Sequence, residues 1–366
     1  MNHRFAAALL VLVTVFAGVP APVAAADQTA QCSFPMTVTD ATGTEVTISE
    51  DPERIVTTNP SAAQTMWEIG AKDEVVGLSQ YAAYLDGASE KTNVSGAEGL
   101  NVEVVIGLEP DVVLVPNTTY TSEPDRVNQL RSAGLTVVVF ESGDSLGAVA
   151  DKVERVGRIT GNCEAGAERA DEMRTSVENM ERALEDVDQP VGLNAFFGYT
   201  SGSGTFISEI MTSAGLRNGA AEANITGWGQ VNEELVVEMN PEYIVIPSHA
   251  PVPSGPAYNS TTAIQEGNVV VVDANNLQQP APRAIDASET IMKAVHPEAF
   301  ERYQELQNQS ETTQTETTNT PESTSGEQDA TATADEPQST ETSAPGFSAV
   351  AAVVALVLTT LVGRRR

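Results

Sequence analysis

One helix-to-strand unit occurs twice in this chain, and it constrains the fold more than any other feature of the sequence. The first copy is NVEVVIGLEPDVVLVP, residues 101–116, and the second is NEELVVEMNPEYIVIP, residues 232–247. In each copy a Glu opens an apolar helical turn, Pro and an acidic residue follow, and a β-branched run ends at another Pro. Because Pro disfavours a continuing helix, each copy predicts a short helix followed by a buried strand. A unit used twice predicts two similar lobes.

Strands and helices alternate on both sides of a helical middle. Before residue 145, strands are predicted at RIVTT, KDEVVGLSQY, DVVLVP and LTVVVF, with helices at NPSAAQTMWEIGA, 102–107 and 123–133. After residue 190, strands are predicted at VGLNAFFGY, EYIVIP and NVVVVD, with helices at FISEIMTSAGL, ELVVEM and PRAIDASETIMKAVHPEAF. Such alternation is typical of βαβ units with a mostly parallel sheet. The predicted fold class is α/β, with two Rossmann-like lobes at 32–144 and 188–303.

The segment 145–187 between the lobes carries no strand signal. Its apolar residues form two stripes at helical spacing, Val149, Val153, Val156 and Ile159 in the first and Ala170, Met173, Val177, Met180 and Leu184 in the second. Stripes of this period predict amphipathic helices. We therefore expect a helical connection between the lobes; an extra helix layer on a single domain is the alternative.

The N-terminus has the pattern of an export signal. Arg4 precedes an apolar run over residues 5–19, and APVAAA offers small residues for cleavage near Ala26. This pattern predicts a signal peptide at residues 1–26 and an extracytoplasmic protein. The alternative is a transmembrane anchor, for which the apolar run is short.

Two segments of different character follow the second lobe. Residues 304–344 are mainly Thr, Ser, Glu, Gln and Asp, with no aromatic residue, Lys or Arg, which predicts a disordered stalk. Residues 345–366 read PGF, then an apolar span and a basic end, which predicts a membrane anchor at the cell surface. This order resembles the archaeal PGF-CTERM sorting signal, which implies that a lipid replaces the span; a plain membrane span is the alternative.

The charge of the chain excludes one class of partner. Its formal net charge is −32, with 51 acidic residues, and its lysines are limited to Lys72, Lys91, Lys152 and Lys293. A chain this acidic is not expected to bind nucleic acid. Because the acidic residues are spread along the chain, we interpret them as a halophilic surface suited to high salt, where screening reduces their repulsion.

The cysteines and the glycosylation motifs fit an exported protein. Cys32 and Cys163 are the two cysteines, and export permits a disulfide between them, although free thiols are the alternative. Candidate N-glycosylation sites are Asn93, Asn117, Asn224, Asn259 and Asn308.

Four segments together resemble the periplasmic-binding-protein family that serves ABC importers of cobalamin, siderophores and haem. They are RIVTTNPSAAQTMWEIGAKDEVVG, NVEVVIGLEPDVVLVP, GWGQVNEELVVEMNPEYIVI and HPEAF, and the resemblance runs over residues 46–300. It implies a monomer of two lobes joined by a long rigid helix, with a ligand in the cleft between the lobes.

The resemblance also implies a role for the repeated glutamates. One Glu per lobe docks on Arg residues of the two permease subunits, and the matching positions here are Glu103 and Glu234. Glu233 lies beside Glu234, so the exact residue in the second lobe stays open. The alternative is that each carboxylate only stabilises the start of its own helix.

Cleft residues are expected in loops that follow strands. The candidate ligand contacts are Asn59, Ser61, Tyr81, Tyr120, Phe197, Trp228 and Arg283. Tyr81 in VGLSQY and Trp228 in GWGQV match aromatic positions of the cobalamin-binding members, which implies a cobalamin or related corrinoid ligand. A ferric siderophore or haem is the alternative ligand, and a surface aromatic at a sheet edge is the alternative role for Tyr81.

Other classes of protein are less well supported by the residues. The sequence has no GxSxG, Walker, HExxH or CxxC motif, so an enzyme is not expected. After the signal peptide only His249 and His296 remain, so neither a metal site nor a cofactor is expected. An anchored adhesin or structural protein is the remaining alternative, because a stalk and an anchor suit it equally.

Overall fold

The computed structural model describes residues 32–318. The predicted signal peptide, the anchor and most of the predicted stalk lie outside these residues. Within residues 32–318, no helix is both long enough and apolar enough to cross a membrane.

The first lobe is built on a five-stranded parallel sheet. Its strands, with the hairpin that precedes them, are β1 (Met36–Thr39), β2 (Glu45–Ile48), β3 (Ile55–Thr57), β4 (Val75–Leu78), β5 (Thr92–Asn93), β6 (Ser95–Gly96), β7 (Gly99–Leu100), β8 (Val112–Pro116) and β9 (Val137–Phe140). The order in the parallel sheet is β5-β4-β3-β8-β9. Every residue of β8 and β9 is buried, because helices cover both faces of such a sheet.

Four helices and three single 3₁₀ turns complete this lobe. The helices are α1 (Pro60–Glu68), α2 (Val102–Gly107), α3 (Asn117–Ser122) and α4 (Pro124–Ser132), and the 3₁₀ turns are Lys72–Glu74, Gln80–Ala82 and Ala88–Glu90.

Two helices connect the lobes, as the apolar stripes predict. They are α5 (Leu146–Ile159) and α6 (Cys163–Ala183), and α6 is the long helix with 21 residues. They cross closely at two glycines, since a Cβ on Gly157 would lie 2.7 Å from Cα of Gly166. A disulfide joins Cys32 to Cys163 at the first residue of α6. The predicted disulfide is confirmed, and it ties the N-terminal arm to the connecting helices.

The second lobe is built on a four-stranded parallel sheet. Its strands are β10 (Val191–Asn194), β11 (Tyr199–Ser201), β12 (Arg217–Asn218), β13 (Trp228–Gln230), β14 (Tyr243–Pro247) and β15 (Val269–Val272). The order in the sheet is β12-β10-β14-β15, while β11 and β13 form a separate antiparallel ribbon. The predicted single strand VGLNAFFGY is therefore two strands, because a turn at residues 196–199 divides it.

Eight helices follow the connection. They are α7 (Phe206–Ser213), α8 (Gly219–Glu222), α9 (Glu233–Met239), α10 (Pro256–Asn259), α11 (Thr262–Glu266), α12 (Ala274–Leu277), α13 (Ala284–Val295) and α14 (Pro297–Thr318).

The last helix corrects the predicted start of the stalk. Residues 304–318 were expected to be disordered, but α14 continues through them. Tyr303 is buried and its hydroxyl donates to Glu289 Oε1 at 2.6 Å, and Gln307 Nε2 donates to Ser176 Oγ at 2.8 Å. These contacts hold a polar segment against α6 and α13, so its composition alone is a poor guide to its structure.

The largest apolar core runs without interruption through both lobes. It includes Met66 of α1, Val153 of α5, Met173 of α6, Ile210 of α7 and Ile291 of α13, all of them fully buried. Separating the lobes at this junction would expose apolar surface to water, which is unfavourable. The two lobes are thus held to each other through α5 and α6.

One buried carboxylate joins the first hairpin to the sheet. The Asp40 carboxylate accepts from the Thr42 side chain at 2.6 Å and from the backbone N–H of Val139 at 3.2 Å, and it pairs with Arg131 at 2.5 Å. Burial alone would raise the pKa of Asp40, but its hydrogen bonds, chiefly those from Thr42, lower the pKa below the ordinary value.

Replacing Asp40 with Asn is expected to reduce the free energy of unfolding by about 2 kcal/mol at neutral pH, since charged hydrogen bonds are lost. A lowered folded-state pKa stabilises the protein above the unfolded pKa, and this contribution is lost as the pH falls through the folded value. The difference between D40N and the parent should therefore shrink below about pH 4. Urea denaturation across this range measures it, with exposed Asp125→Asn as the control; a difference independent of pH would contradict the assignment.

Candidate functional site

The two sequence repeats adopt the same structure from their first residue. α2 begins after Asn101, whose side-chain oxygen accepts from the backbone N–H of Val104 at 3.2 Å. α9 begins after Asn232, whose side-chain oxygen accepts from the backbone N–H of Leu235 at 2.8 Å. Both asparagines are N-caps, a position that this residue type favours because it satisfies a free helical N–H. The register of the two helices is therefore fixed in the same way.

The ends of the two repeats also match. Each short helix is followed by a residue in the left-handed conformation, Glu109 with φ of 46° and Asn240 with φ of 40°.

The acidic residue after the Pro makes the same contact in both repeats. Asp111 accepts from the backbone N–H of Arg54 at 2.9 Å, directly before β3, and β8 lies beside β3. Glu242 accepts from the backbone N–H of Val191 at 3.0 Å, at the start of β10, and β14 lies beside β10. The repeat is thus one structural unit used once in each lobe.

This register identifies the counterpart of Glu103. Glu103 is the second residue of α2, and Glu234 is the second residue of α9, whereas Glu233 corresponds to Val102. Both Glu103 and Glu234 are exposed. Within residues 32–318, neither carboxylate has a hydrogen bond or an ion pair. Each is therefore available to a basic group of another molecule without breaking a contact of its own.

A polar cavity of about 310 Å³ opens in the first lobe where its parallel strands end. Asn59 follows β3, Ser79 and Tyr81 follow β4, and Thr119 follows β8. Ligand sites in α/β sheets commonly lie at these carboxyl ends. The lining includes Asn59, Ser79, Tyr81, Ser95, Thr119 and Glu123.

Two of the four predicted first-lobe contacts line this cavity. Asn59 lies in its wall and caps α1, and Tyr81 projects at its rim with 69% of its surface exposed. Ser61 is instead buried, with its hydroxyl donating to Asn59 Oδ1 at 2.9 Å. Tyr120 packs against the apolar core of this lobe, and the Arg131 guanidinium lies 5.7 Å from its ring.

An aromatic cluster forms the equivalent region of the second lobe. The Phe196 ring centroid lies 4.9 Å from that of Phe197, 6.2 Å from that of Trp228 and 5.5 Å from that of His249, in edge-to-face arrangements. Phe197 is 61% exposed and Trp228 is 52% exposed. Aromatic faces left open to solvent in this way are well suited to contact a large flat ligand, because they bury much area at little cost in entropy.

The turn that carries Phe197 is strained. Phe197 has φ of 47° and Gly198 has φ of 85°, and the backbone groups of Phe196 and Tyr199 hydrogen-bond to each other at 2.8 and 2.9 Å. A positive φ is common for Gly but unfavourable for a bulky residue such as Phe. The surrounding ribbon holds Phe197 in this conformation, and the strained turn keeps its ring exposed.

Trp228 lies on the antiparallel ribbon formed by β11 and β13. It pairs with Ser201 in β11. Two residues further along the ribbon Tyr199 pairs with Gln230, whose Nε2 donates to the Tyr199 hydroxyl at 3.0 Å. A Cβ on Gly229 would meet the Ile225 side chain at 2.7 Å, which accounts for this glycine. The ring of Trp228 is thus positioned by strand pairing, which makes it a rigid contact surface.

Sequence reasoning missed Phe196 and His249 as members of this cluster. The predicted strand VGLNAFFGY places Phe196 in its interior, whereas β10 ends at Asn194, two residues before Phe196. His249 was considered only as a metal ligand, but it follows β14 and is exposed beside Phe196 and Phe197. The rule that loops after parallel strands carry sites would have identified both residues.

Arg283, a predicted ligand contact, joins the two lobes in this structure. Its Nε donates to Glu68 Oε1 at 2.8 Å, and its backbone N–H donates to Gln64 Oε1 at 3.1 Å, both on α1 of the first lobe. Arg169 of α6 pairs with the same Glu68 at 3.3 Å. A ligand contact by Arg283 would have to share or replace these partners.

Four of the five candidate glycosylation sites are exposed. Asn117 is half-buried at the start of α3, and the exposed sites are Asn93, Asn224, Asn259 and Asn308. Their modification stays a prediction.

The chain matches the periplasmic binding protein family over residues 55–276 and therefore belongs to that family. A cobalamin-binding protein of Halobacterium salinarum is 41% identical over 318 residues, covering 80% of this chain and 85% of that protein. An uncharacterised ABC transporter substrate-binding lipoprotein of Bacillus subtilis is 27% identical over 307 residues, covering 80% of this chain and 97% of that protein. Membership defines a class of extracytoplasmic substrate-binding proteins with a permease partner.

Solved structures agree with the two-lobed fold. The periplasmic haem-binding protein of a Roseiflexus species, solved without haem, superposes with a TM-score of 0.61 at 21% identity. The alignment covers 68% of this chain and 99% of that chain. At this identity, the likeness establishes the fold and leaves the ligand to be argued separately.

Proposed function

We propose that this protein captures cobalamin or a related corrinoid outside the cytoplasm and delivers it, without chemical conversion, to an ABC permease dimer. The observation that carries the ligand class is the 41% identity to a cobalamin-binding protein over 80% of this chain. The exposed aromatic cluster of the second lobe supports the same ligand on chemical grounds.

The proposed ligand site combines a rigid aromatic wall with a polar one. Phe197 and Trp228 contact the flat faces and edges of the macrocycle from the second lobe, and Tyr81 contacts it from the first. The side chains that line the first-lobe cavity provide hydroxyl and amide groups for the polar substituents of the ligand. Since the shared core resists separation of the lobes, binding requires little rearrangement.

Haem is the second candidate, and His249 is the observation that favours it. The imidazole is exposed and its ring lies 5.5 Å from Phe196 and 6.3 Å from Phe197. A histidine nitrogen is a common axial ligand of haem iron. Haem binding would therefore use the same aromatic wall with the addition of one coordinate bond.

The permease contact in this proposal is made by Glu103 and Glu234. One unpaired carboxylate per lobe is matched to a transporter that presents one basic site per subunit. The remaining parts of the proposal are a monomeric protein, held at the cell surface by its C-terminal anchor, with the anchor either retained or exchanged for lipid. A surface adhesin would need neither paired carboxylates nor an exposed aromatic wall.

Replacing Trp228 with Ala is expected to weaken cyanocobalamin binding by about 1–3 kcal/mol, because a large aromatic contact is removed. Isothermal titration calorimetry measures the affinity. Trp67→Phe is the matched control, since Trp67 donates to the Asp86 carbonyl away from this cluster. Unchanged affinity in the Trp228 variant would contradict the proposed site.

The choice of ligand is tested by competition. Unlabelled cyanocobalamin, haem and a ferric siderophore are each added to protein loaded with labelled cyanocobalamin. We expect only the corrinoid to compete at low concentration. If haem displaces the labelled corrinoid from the parent but not from the His249→Ala variant, the second candidate is favoured.

A further inference from the structure

Each repeat exposes an apolar side chain one helical turn after its glutamate. Ile106 follows Glu103 on α2 and is 38% exposed, and Val237 follows Glu234 on α9 and is 53% exposed. Residues three apart on a helix lie on the same face. The carboxylate and the apolar group therefore form one small surface patch in each lobe.

The two apolar residues occupy equivalent positions of the repeat. Val105 and Val236, the residues before them, are both fully buried, which fixes the same rotation of each helix. The Asn caps also place the start of each helix at the same residue of the repeat. Ile106 and Val237 therefore occupy equivalent positions, as Glu103 and Glu234 do. A single exposed apolar residue is common on protein surfaces and needs no explanation. Exposure of an apolar residue at the same position of both repeats is not expected by chance and calls for one.

The ligand site does not account for these two residues. Large exposed apolar side chains of residues 32–318 fall into three groups: Tyr81, Phe197, Tyr199, Trp228 and Val252 in loops and the ribbon beyond the sheets, Val271 on the edge strand β15, and Ile106 and Val237 on the repeat helices. Tyr81, Phe197 and Trp228 of the first group are the proposed ligand contacts. The last pair lies beside the proposed permease contacts.

We infer that Ile106 and Val237 are paired apolar contacts of the permease docking surface. The partner is a permease dimer that presents, on each subunit, a basic side chain for the glutamate and an apolar hollow for the residue one turn later. This inference rests on the proposed function and adds a second kind of contact to it.

The charge of the protein explains why a carboxylate alone is insufficient. The formal net charge of −32 favours a medium of high salt, and the range of attraction between exposed charges falls to about 3 Å at 1 M salt. Burial of apolar surface is not screened in this way, and some salts strengthen it. The apolar pair therefore maintains docking where the ion pairs weaken.

The experiment measures docking of cyanocobalamin-loaded protein to the permease complex of the same cell, purified into lipid nanodiscs. Ile106→Ala and Val237→Ala keep the helices, since Ala is the best helix former. Each is expected to raise Kd about threefold to tenfold, with a larger effect for the double variant. The matched control is Val271→Ala, a valine of equal exposure, 53%, on β15.

Salt separates the two kinds of contact. The loss caused by the Ala variants should persist or grow at high salt, whereas the loss caused by Glu103→Gln and Glu234→Gln should be largest at low salt. If the Glu variants weaken docking and the Ala variants match the parent, the inference is wrong while the proposed docking glutamates stand. If the Glu variants also dock normally, the proposed permease contact itself fails. Equal weakening by Val271→Ala would overturn the inference as well, because the effect would then not be specific to the repeat.

Discussion

Replacing both Glu103 and Glu234 with Gln is expected to reduce corrinoid uptake severalfold while ligand affinity and folding stay unchanged. Both side chains are exposed and unpaired within residues 32–318, so their replacement should alter stability by less than about 0.5 kcal/mol. We expect the loss to arise at the transporter, because both proposed charge contacts with the permease are removed. Each single variant should reduce uptake and leave a residual rate.

Uptake of radiolabelled cyanocobalamin by cells that lack their own copy of the protein measures this effect. Glu233→Gln is the matched control, since Glu233 is exposed on the same helix but corresponds to Val102 in the first repeat. A double variant that imports at the parental rate would remove the docking role of the two glutamates. Their position would then reflect only favourable charge at helix starts.

Replacing Cys32 and Cys163 with Ser is expected to reduce the free energy of unfolding by about 4–5 kcal/mol in the chain-entropy account of cross-links. The bond closes a sequence separation of 131 residues and fixes the N-terminal arm to the start of α6. The unfolded chain without this bond has much more freedom, so the effect acts mainly on the unfolded state.

Guanidinium denaturation of the double Ser variant and of the oxidised parent measures the difference. A parent protein treated with reductant should match the variant, which serves as the internal control. Equal stability of the oxidised parent and the variant would contradict the expectation. Corrinoid affinity should change little, because the bond lies at the connecting helices and the proposed ligand contacts lie on the two lobes.

Features with a local signal could be predicted from the sequence. The repeat, its β-branched strands and the stripes of 145–187 predicted two α/β lobes with a helical connection, and the structure confirms this arrangement. Polar composition failed at α14, because the segment is stabilised by contacts with α6 that composition does not reveal. Long-range packing of this kind overrides local preference.

The candidate site was predicted less well for similar reasons. Phe normally adopts a negative φ, so the sequence VGLNAFFGY predicts a continuous strand. The positive φ of Phe197 in the structure opposes this preference and divides the strand. Arg283 lies between α12 and α13, and its partners Gln64 and Glu68 belong to the other lobe, so the sequence around Arg283 does not indicate them. Tyr81 and Trp228 were identified because the resemblance supplied their positions, and their roles stay predictions.

The shared apolar core has a consequence for how the rate of import depends on the amount of this protein. Since Met66, Met173 and Ile291 belong to one continuous core, we expect the spacing of Glu103 and Glu234 to change little when ligand binds. Under the proposed docking, empty copies should then occupy the permease as readily as loaded copies do and should act as competitive inhibitors of import. The rate of uptake should consequently pass through a maximum as the amount of this protein at the cell surface is increased at a fixed, limiting supply of ligand.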